Sequence, residues 1–410
     1  MPPVSKHLSH SLLLLPPPPS PPTFAALKAA YGPPLFSVLR QLSRSPKRTQ
    51  DPVVLDVALP CSHLYGQLGS PRSSHYASTQ QLVAGLYKLL AVISVQQSID
   101  SEDSEGVDAR VLLLAYPRDG KLIQTSPDSA PEAQLEGPVI DIHTLARSPR
   151  DWDTIYAVET ERGEVLLNSF LSIARTKKNV FKVRGGITQV SAEELSPSSQ
   201  ASSSKNHYSV AVGGTFDHLH IGHKLLLTMT AFMLGGNTNP DEDQPPRSLT
   251  IGITGDELLK NKKYAEYLES WQDRRNSAHD FLSSILYFGH PDDTRIQVEE
   301  KSEPGPNGHA VHVTYPSHLV SKYVEIWDPF GPTITDESIS ALVISGETRS
   351  GGKAVNDKRA EKGWAPLEVF EVDVLDASEE EKLDETFQSK LSSTEIRRLR
   401  SERGSSKSKA

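Results

Sequence analysis

Between Val210 and Leu227 the chain reads VAVGGTFDHLHIGHKLLL. An apolar run meets Gly213 and Gly214, and histidines follow at positions 218, 220 and 223. Paired glycines mark a sharp turn or a close approach to the backbone. His220 and His223 are three residues apart, so on a helix they project from one side of its first turn. A helix N-terminus presents unpaired N–H groups and a partial positive charge, which suits a phosphate. Two imidazoles at that position can donate hydrogen bonds to a polyphosphate. They help most where negative charge grows during a reaction.

Three further stretches carry polar chemistry. ITGDELLKNKK holds Lys260, Lys262 and Lys263, and SGETRSGGK holds Gly346, Glu347, Thr348 and Arg349. SSTEIR, Ser392 to Arg397, has the composition of a helix start, with Ser393 or Thr394 as cap and with hydroxyl and N–H groups available to a phosphate. The GGK at Gly351 to Lys353 is not a P-loop. The first glycine of that motif would fall on Glu347, and its last position on Ala354. DEDQPPR, Asp241 to Arg247, reads as a solvated acidic loop.

These groups need elements to hold them. Tyr208 to Val212 reads as a buried strand, and from Gly222 onward Leu225, Leu226, Met229, Phe232 and Met233 recur at helical spacing. Further strands are expected at Leu249–Ile253, Arg295–Glu299, Ala341–Ser345 and Leu367–Val374, with helices at Trp271–Phe288 and Lys353–Lys362. Alternating strand and helix predict an α/β domain built on a parallel sheet with helices on both faces. In such sheets ligands sit at the C-terminal strand ends, where the glycine–histidine, lysine and SGETRSGG stretches would converge.

In the N-terminal half, Val53–Leu59, Arg110–Ala115 and Val139–Ile142 read as strands, and Gln80–Ser94 and Leu166–Arg175 as helices. A smaller α/β domain without a phosphate loop or catalytic cluster is expected there. The domain limits read from composition are a Pro-rich, partly disordered segment (1–50), the N-terminal domain (51–190), a Ser-rich linker (191–207), the catalytic domain (208–401) and a disordered tail (402–410). Ser98 to Asp108 is an acidic surface loop.

Composition narrows the function. The net charge of −9 argues against a nucleic-acid surface. Cys61 is the single cysteine, which leaves no disulfide framework and no Cys-based metal cluster. No apolar run approaches transmembrane length, so no membrane partner is expected. A cytoplasmic location follows. The N-terminal end has Lys6 and no acidic residue before Asp51, which leaves room for mitochondrial association.

In sum these stretches resemble a known family. GGTFDHLHIGH is similar to the HxGH signature of the nucleotidylyltransferase superfamily. ITGDELLKNKK, LVISGETRSGGKAVNDKRAEKG and KLSSTEIRRLR resemble the remaining blocks of phosphopantetheine adenylyltransferases of the archaeal and eukaryotic type, over roughly residues 208 to 400. The N-terminal half loosely resembles the N-terminal region of eukaryotic coenzyme A synthases. The resemblance implies a Rossmann-like sheet, and transfer of AMP from ATP to 4′-phosphopantetheine, giving dephospho-coenzyme A and pyrophosphate. Mg²⁺ would accompany ATP, with no metal bound by side chains of its own. His223, His220 and Lys262 would be catalytic. Gly213, Gly214 and Phe216 would offer backbone to ATP, together with Gly346, Glu347, Arg349, Ser392, Ser393, Thr394 and Arg397. Thr215, Lys260 and Lys262 would hold the acceptor phosphate, with Lys263 as a neighbouring cation. Animal coenzyme A synthases continue into a dephospho-coenzyme A kinase with a P-loop. No such motif stands here, so one activity is expected, as in a fungal-like enzyme. Other coenzyme A pathway enzymes are candidate partners for the N-terminal half.

Three other readings compete. A class I aminoacyl-tRNA synthetase shares HIGH and KLSST, but its KMSKS loop has a second lysine that is absent here. A cytidylyltransferase for an alcohol phosphate carries an RTEGIST-like block in place of KLSSTEIR. A non-catalytic scaffold is opposed by the intact His223, Lys262 and SST.

Overall fold

The computed structural model describes residues 9–44, 52–99, 106–123, 135–174, 179–187, 205–236, 246–372 and 392–407. The chain forms two compact units. Most of the Ser-rich linker, the acidic loop core at 100–105 and residues 241–245 lie outside the described residues.

The first unit holds a six-stranded parallel sheet. Its strands are β1 (His10–Leu14), β2 (Val53–Pro60), β3 (Val107–Leu114), β4 (Val139–Ile140), β5 (Thr154–Glu159) and β6 (Val180–Arg184), in the order β4-β3-β2-β1-β5-β6. Helices α1 (Phe24–Arg44), α2 (Tyr76–Gln96), α3 (Ile142–Arg147) and α4 (Glu161–Ile173) alternate with them. β2 reads VVLDVALP and is buried throughout, as expected for an inner strand covered on both faces. Asp56 is the exception in that run. Its buried Oδ2 accepts from Arg150 and Trp152 Nε1, each at 3.0 Å, and lies 3.0 Å from His10 Nε2.

This unit corrects the separation of residues 1–50 from the fold. HSLLL is the strand between β2 and β5, with Leu12 to Leu15 almost wholly buried. These four leucines cross the middle of the sheet. α1 follows, with Pro33 and Pro34 inside it.

The second unit is built on β7 (Ser209–Gly214), β8 (Ser248–Thr254), β9 (Gln297–Ser302), β10 (His309–Thr314), β11 (Val320–Ile326), β12 (Ala341–Ser345) and β13 (Glu368–Val372). Their order is β13-β12-β7-β8-β11-β10-β9. Five strands are parallel, and β10 and β9 close one edge as an antiparallel pair. The helices are α5 (Ile221–Met233), α6 (Trp271–Leu286), α7 (Arg349–Glu361) and α8 (Ser393–Lys407). Val210, Val212, Leu249, Ile251 and Ile253 of the inner strands and Leu225, Leu227, Met229 and Phe232 of α5 are all buried in the core.

The expected α/β architecture is present, with local differences. The strand expected at Arg295–Glu299 is β9, shifted to Gln297–Ser302 and antiparallel to β10. β10 and β11 alternate buried and partly exposed residues instead of forming apolar runs, and the reading passed over them. α7 starts at Arg349, so SGGK lies inside the helix. α8 runs to Lys407, through residues assigned to a disordered tail.

From β7 the chain steps to β8 on one side. It later returns to place β12 on the other side. The connections therefore diverge between β7 and β12, the place where open α/β sheets receive ligands. No helix among the described residues is long and apolar enough to cross a membrane.

Candidate active site

The loop after β7 carries the histidines. Gly213 has no atom within 4 Å of where a side chain would start, so nothing in the protein itself requires a glycine there. A side chain on Gly214 would instead meet the Phe216 ring at 3.1 Å. Phe216 (φ 53°) and His218 (φ 47°) both take left-handed backbone, which is costly for such residues and shapes the turn. Phe216 is fully buried and its ring lies 5.4 Å from that of His223.

His220 is the N-cap of α5. Its Nδ1 accepts the His223 backbone N–H at 3.4 Å. The two imidazoles stack, with centroids 3.8 Å apart and planes 18° from parallel. A stacked pair of this kind disfavours protonation. Burial, then His223, Lys224 and His218, hold His220 well below the ordinary value. Burial brings His223 down to about 4, opposed by Glu269 and aided to a lesser extent by His218. Both rings are therefore neutral at pH 7, and each neutral ring has one N–H to donate. His223 Nδ1 is buried without a hydrogen-bond partner among the described residues.

Around this pair lies a buried charged network that the sequence reading missed. Asp217 Oδ1 accepts the Glu269 N–H at 3.0 Å, and Oδ2 accepts from Arg397. The Glu269 carboxylate accepts the His218 N–H at 2.8 Å, while His218 Nε2 lies 2.9 Å from the Tyr267 carbonyl. Burial pushes the Glu269 carboxyl up, but the His218 contacts outweigh it and the net shift is downward. Arg274, on the first turn of α6, is wholly buried. It donates to the carbonyls of Thr215 (2.7 Å), Thr254 (2.8 Å) and Glu269 (3.0 Å), and to Asp256 Oδ1 (2.6 Å). One guanidinium thus ties the glycine–histidine loop to the start of the lysine loop. Asp217 lay inside the quoted motif and was legible there. Arg274 sits in WQDRR, where nothing in the letters separates a buried arginine from an exposed one.

The remaining candidates are distributed unequally. Thr215 is half-buried beside Gly214, with its carbonyl held by Arg274. Lys260, Lys262 and Lys263 are exposed on the loop after β8. Lys260 pairs with Glu257, and neither Lys262 nor Lys263 has an ion-pair partner among the described residues. Gly346, Glu347 and Thr348 form a short turn at the C-terminal end of β12, beside β7 in the sheet. Ser393 Oγ donates to the Asp217 carbonyl at 2.7 Å, which brings the start of α8 onto the histidine loop.

Three of these residues make contacts within the protein that the sequence did not announce. Ser392, not Ser393 or Thr394, takes the capping place, since its carbonyl accepts from the Glu395 and Ile396 N–H groups. Arg397 is buried, with each guanidinium nitrogen engaged: Nη1 with Asp217, Nε with the Lys263 carbonyl at 3.1 Å, Nη2 with Thr394 Oγ1 at 3.2 Å. It positions these loops, and one N–H on each of Nη1 and Nη2 is not used by these three bonds. Arg349 is exposed and grips Glu371 on β13 with two nitrogens.

Asp217, His218 and Glu269 are the one group of described residues whose ligand atoms lie close enough together for a metal ion. They do not fit one. The Asp217 oxygens are already used by Arg397 and Glu269, and those of Glu269 face His218.

Comparison with known proteins places this geometry. Residues 211–399 match the cytidylyltransferase-like family, and residues 1–189 match a family described only as a domain of unknown function. A phosphopantetheine adenylyltransferase of Thermococcus kodakarensis is 31% identical over 171 residues, which are 42% of this chain and 78% of the relative. The chain belongs to the phosphopantetheine adenylyltransferase family. The enzyme of that name from Saccharomyces cerevisiae is 39% identical over 189 residues, 46% of this chain and 47% of the relative. An uncharacterised protein of Schizosaccharomyces pombe is 32% identical over 246 residues, 60% of this chain and 64% of the relative. The matches thus span between about half and two thirds of these two fungal proteins. In family terms, the HxGH histidines are the stacked pair on α5, and the SSTEIR block is the start of α8.

Proposed function

We propose that the chain transfers AMP from ATP to 4′-phosphopantetheine, releasing pyrophosphate and forming dephospho-coenzyme A. The observation that carries this reading is the neutral, stacked His220–His223 pair at the N-terminus of α5, with the start of α8 held on the same loop by Ser393 and Arg397. Adenylyl transfer needs positioning and charge stabilisation and no protein nucleophile. The acceptor's own phosphate oxygen forms the new bond to the α-phosphorus as the bond to pyrophosphate breaks. His223 donates a hydrogen bond to phosphate oxygens as charge builds there. Thr215 and the lysines of the β8 loop hold the acceptor phosphate. Open space at Gly213 leaves room for a phosphate against the backbone. Mg²⁺ enters as Mg·ATP, held by the phosphates, in keeping with the occupied Asp217–His218–Glu269 group.

The test is pyrophosphate release by the purified chain. ATP with 4′-phosphopantetheine should be turned over, and CTP with choline phosphate should not. The opposite preference would replace this reading with a cytidylyltransferase. Phosphorylation of the product to coenzyme A by the pure chain would sink the expectation of a single activity.

A further inference from the structure

Thr250 sits in the inner strand β8, in the run SLTIGIT, and is 1% exposed. Its hydroxyl has no hydrogen-bond partner among the described residues. An unmet buried hydroxyl costs about 1–3 kcal/mol, so valine would serve the strand better unless something outside the protein meets the oxygen. Thr250 borders a cavity of about 190 Å³, away from the loop that holds the histidines. In register across the sheet, Thr250 lies beside Lys322 of β11, and Lys322 beside His312 of β10. Both line the cavity, as do Lys301 of β9 and Asn307, whose buried Oδ1 also lacks a partner. Asn307 can present its amide NH₂ there by a simple flip.

The charges are mixed but the lysines leave their mark. Lys322 pairs with Asp336 at 3.1 Å, Lys301 lies 3.7 Å from Glu299, and the Asp336 and Glu303 carboxylates line the cavity with the lysines. Even so, burial and then Lys301 and Lys322 lower the His312 pKa, against a smaller opposing pull from Glu299. The volume lies below the ~300–1,000 Å³ of ordinary small-molecule sites and suits a group of phosphate size.

We propose that this cavity binds a phosphate-type oxyanion, met by the Thr250 hydroxyl, the Asn307 amide and the Lys301 and Lys322 ammonium groups. Inorganic phosphate and pyrophosphate share that chemistry. Calorimetric titration of the full chain with each, in the presence of saturating ATP to occupy the nucleotide site, distinguishes the two. Saturable binding is expected for one or both, and the tighter of the two is the ligand. Thr250→Val, close to isosteric, should weaken it about tenfold, the loss of one ordinary hydrogen bond, with no loss of melting temperature. Lys322→Met should weaken it more. Absence of saturable binding to wild type, or wild-type affinity in Thr250→Val, overturns the site.

Discussion

Replacing His223 by alanine removes a neutral imidazole from the first turn of α5 and leaves His220 in place as the cap. If His223 acts as charge develops at the α-phosphate, kcat should fall by about 10²–10³, or ~3–4 kcal/mol, with KM for ATP changing far less. A purely structural histidine would lower the melting temperature and leave turnover per folded molecule near normal. Both are read on one preparation. The lowered pKa values also make a statement about pH. An unfolded histidine takes its proton near 6.5, whereas folded His223 waits until about 4 and His220 is likewise held well below its ordinary value. Between those values the unfolded chain binds more protons, so stability rises with pH across that window. Denaturant melts should give a plateau above pH 7 and a decline from about pH 6.5 towards 4. His223→Gln should flatten the decline, and an unchanged slope would show that the pair is not its source.

Among the elements, α8 has the most specific anchorage. Its first turn reaches the histidine loop through Ser393 and Arg397, and the same arginine holds the lysine loop at the Lys263 carbonyl. Arg397→Met should leave Asp217 buried without its cation. The cost is about 3–5 kcal/mol, as for breaking one partner of a buried pair. Asp217→Asn should cost a similar amount, and the double variant much less than the sum. Strict additivity, read from melts and from kcat/KM, would mean that the pair does not hold the helix. The parallel strands were legible because inner strands, covered on both faces, are mostly apolar, as in VVLDVAL and LTIGI. β1 was obscured by the proline block that follows it, and β10 and β11 by alternation that leaves only short apolar signals. At the site, glycines and histidines announced themselves through backbone and helix-end chemistry. Arg274 and the inward turn of Arg397 depend on burial created by distant segments, which no local spacing encodes.

At the scale of the whole molecule, the two units exchange pieces of chain. Gly69–Gln80 belongs to the second unit and Tyr287–Pro291 to the first. In the second unit, Arg72 lies over the Phe232 ring at 5.7 Å, Tyr76 packs on Phe370 at 5.1 Å, and its hydroxyl donates to the Glu371 carbonyl at 3.1 Å. In the first, Arg150 stacks over Phe288 at 4.1 Å and donates to the Tyr287 carbonyl. A fragment beginning at residue 205 should therefore retain adenylyl transfer but melt well below the full chain, because Phe232 and Phe370 lose their cover. Equal melting temperatures would show that residues 69–80 add nothing to the unit. The exchange also bears on inheritance. A gene broken between codons 81 and 201 would yield two products, each carrying a segment that completes the other's fold. A recombination event that brought in only one of them would bring an incomplete unit. A C-terminal half inherited alone would therefore need a substitute for the cover that residues 69–80 give to Phe232 and Phe370.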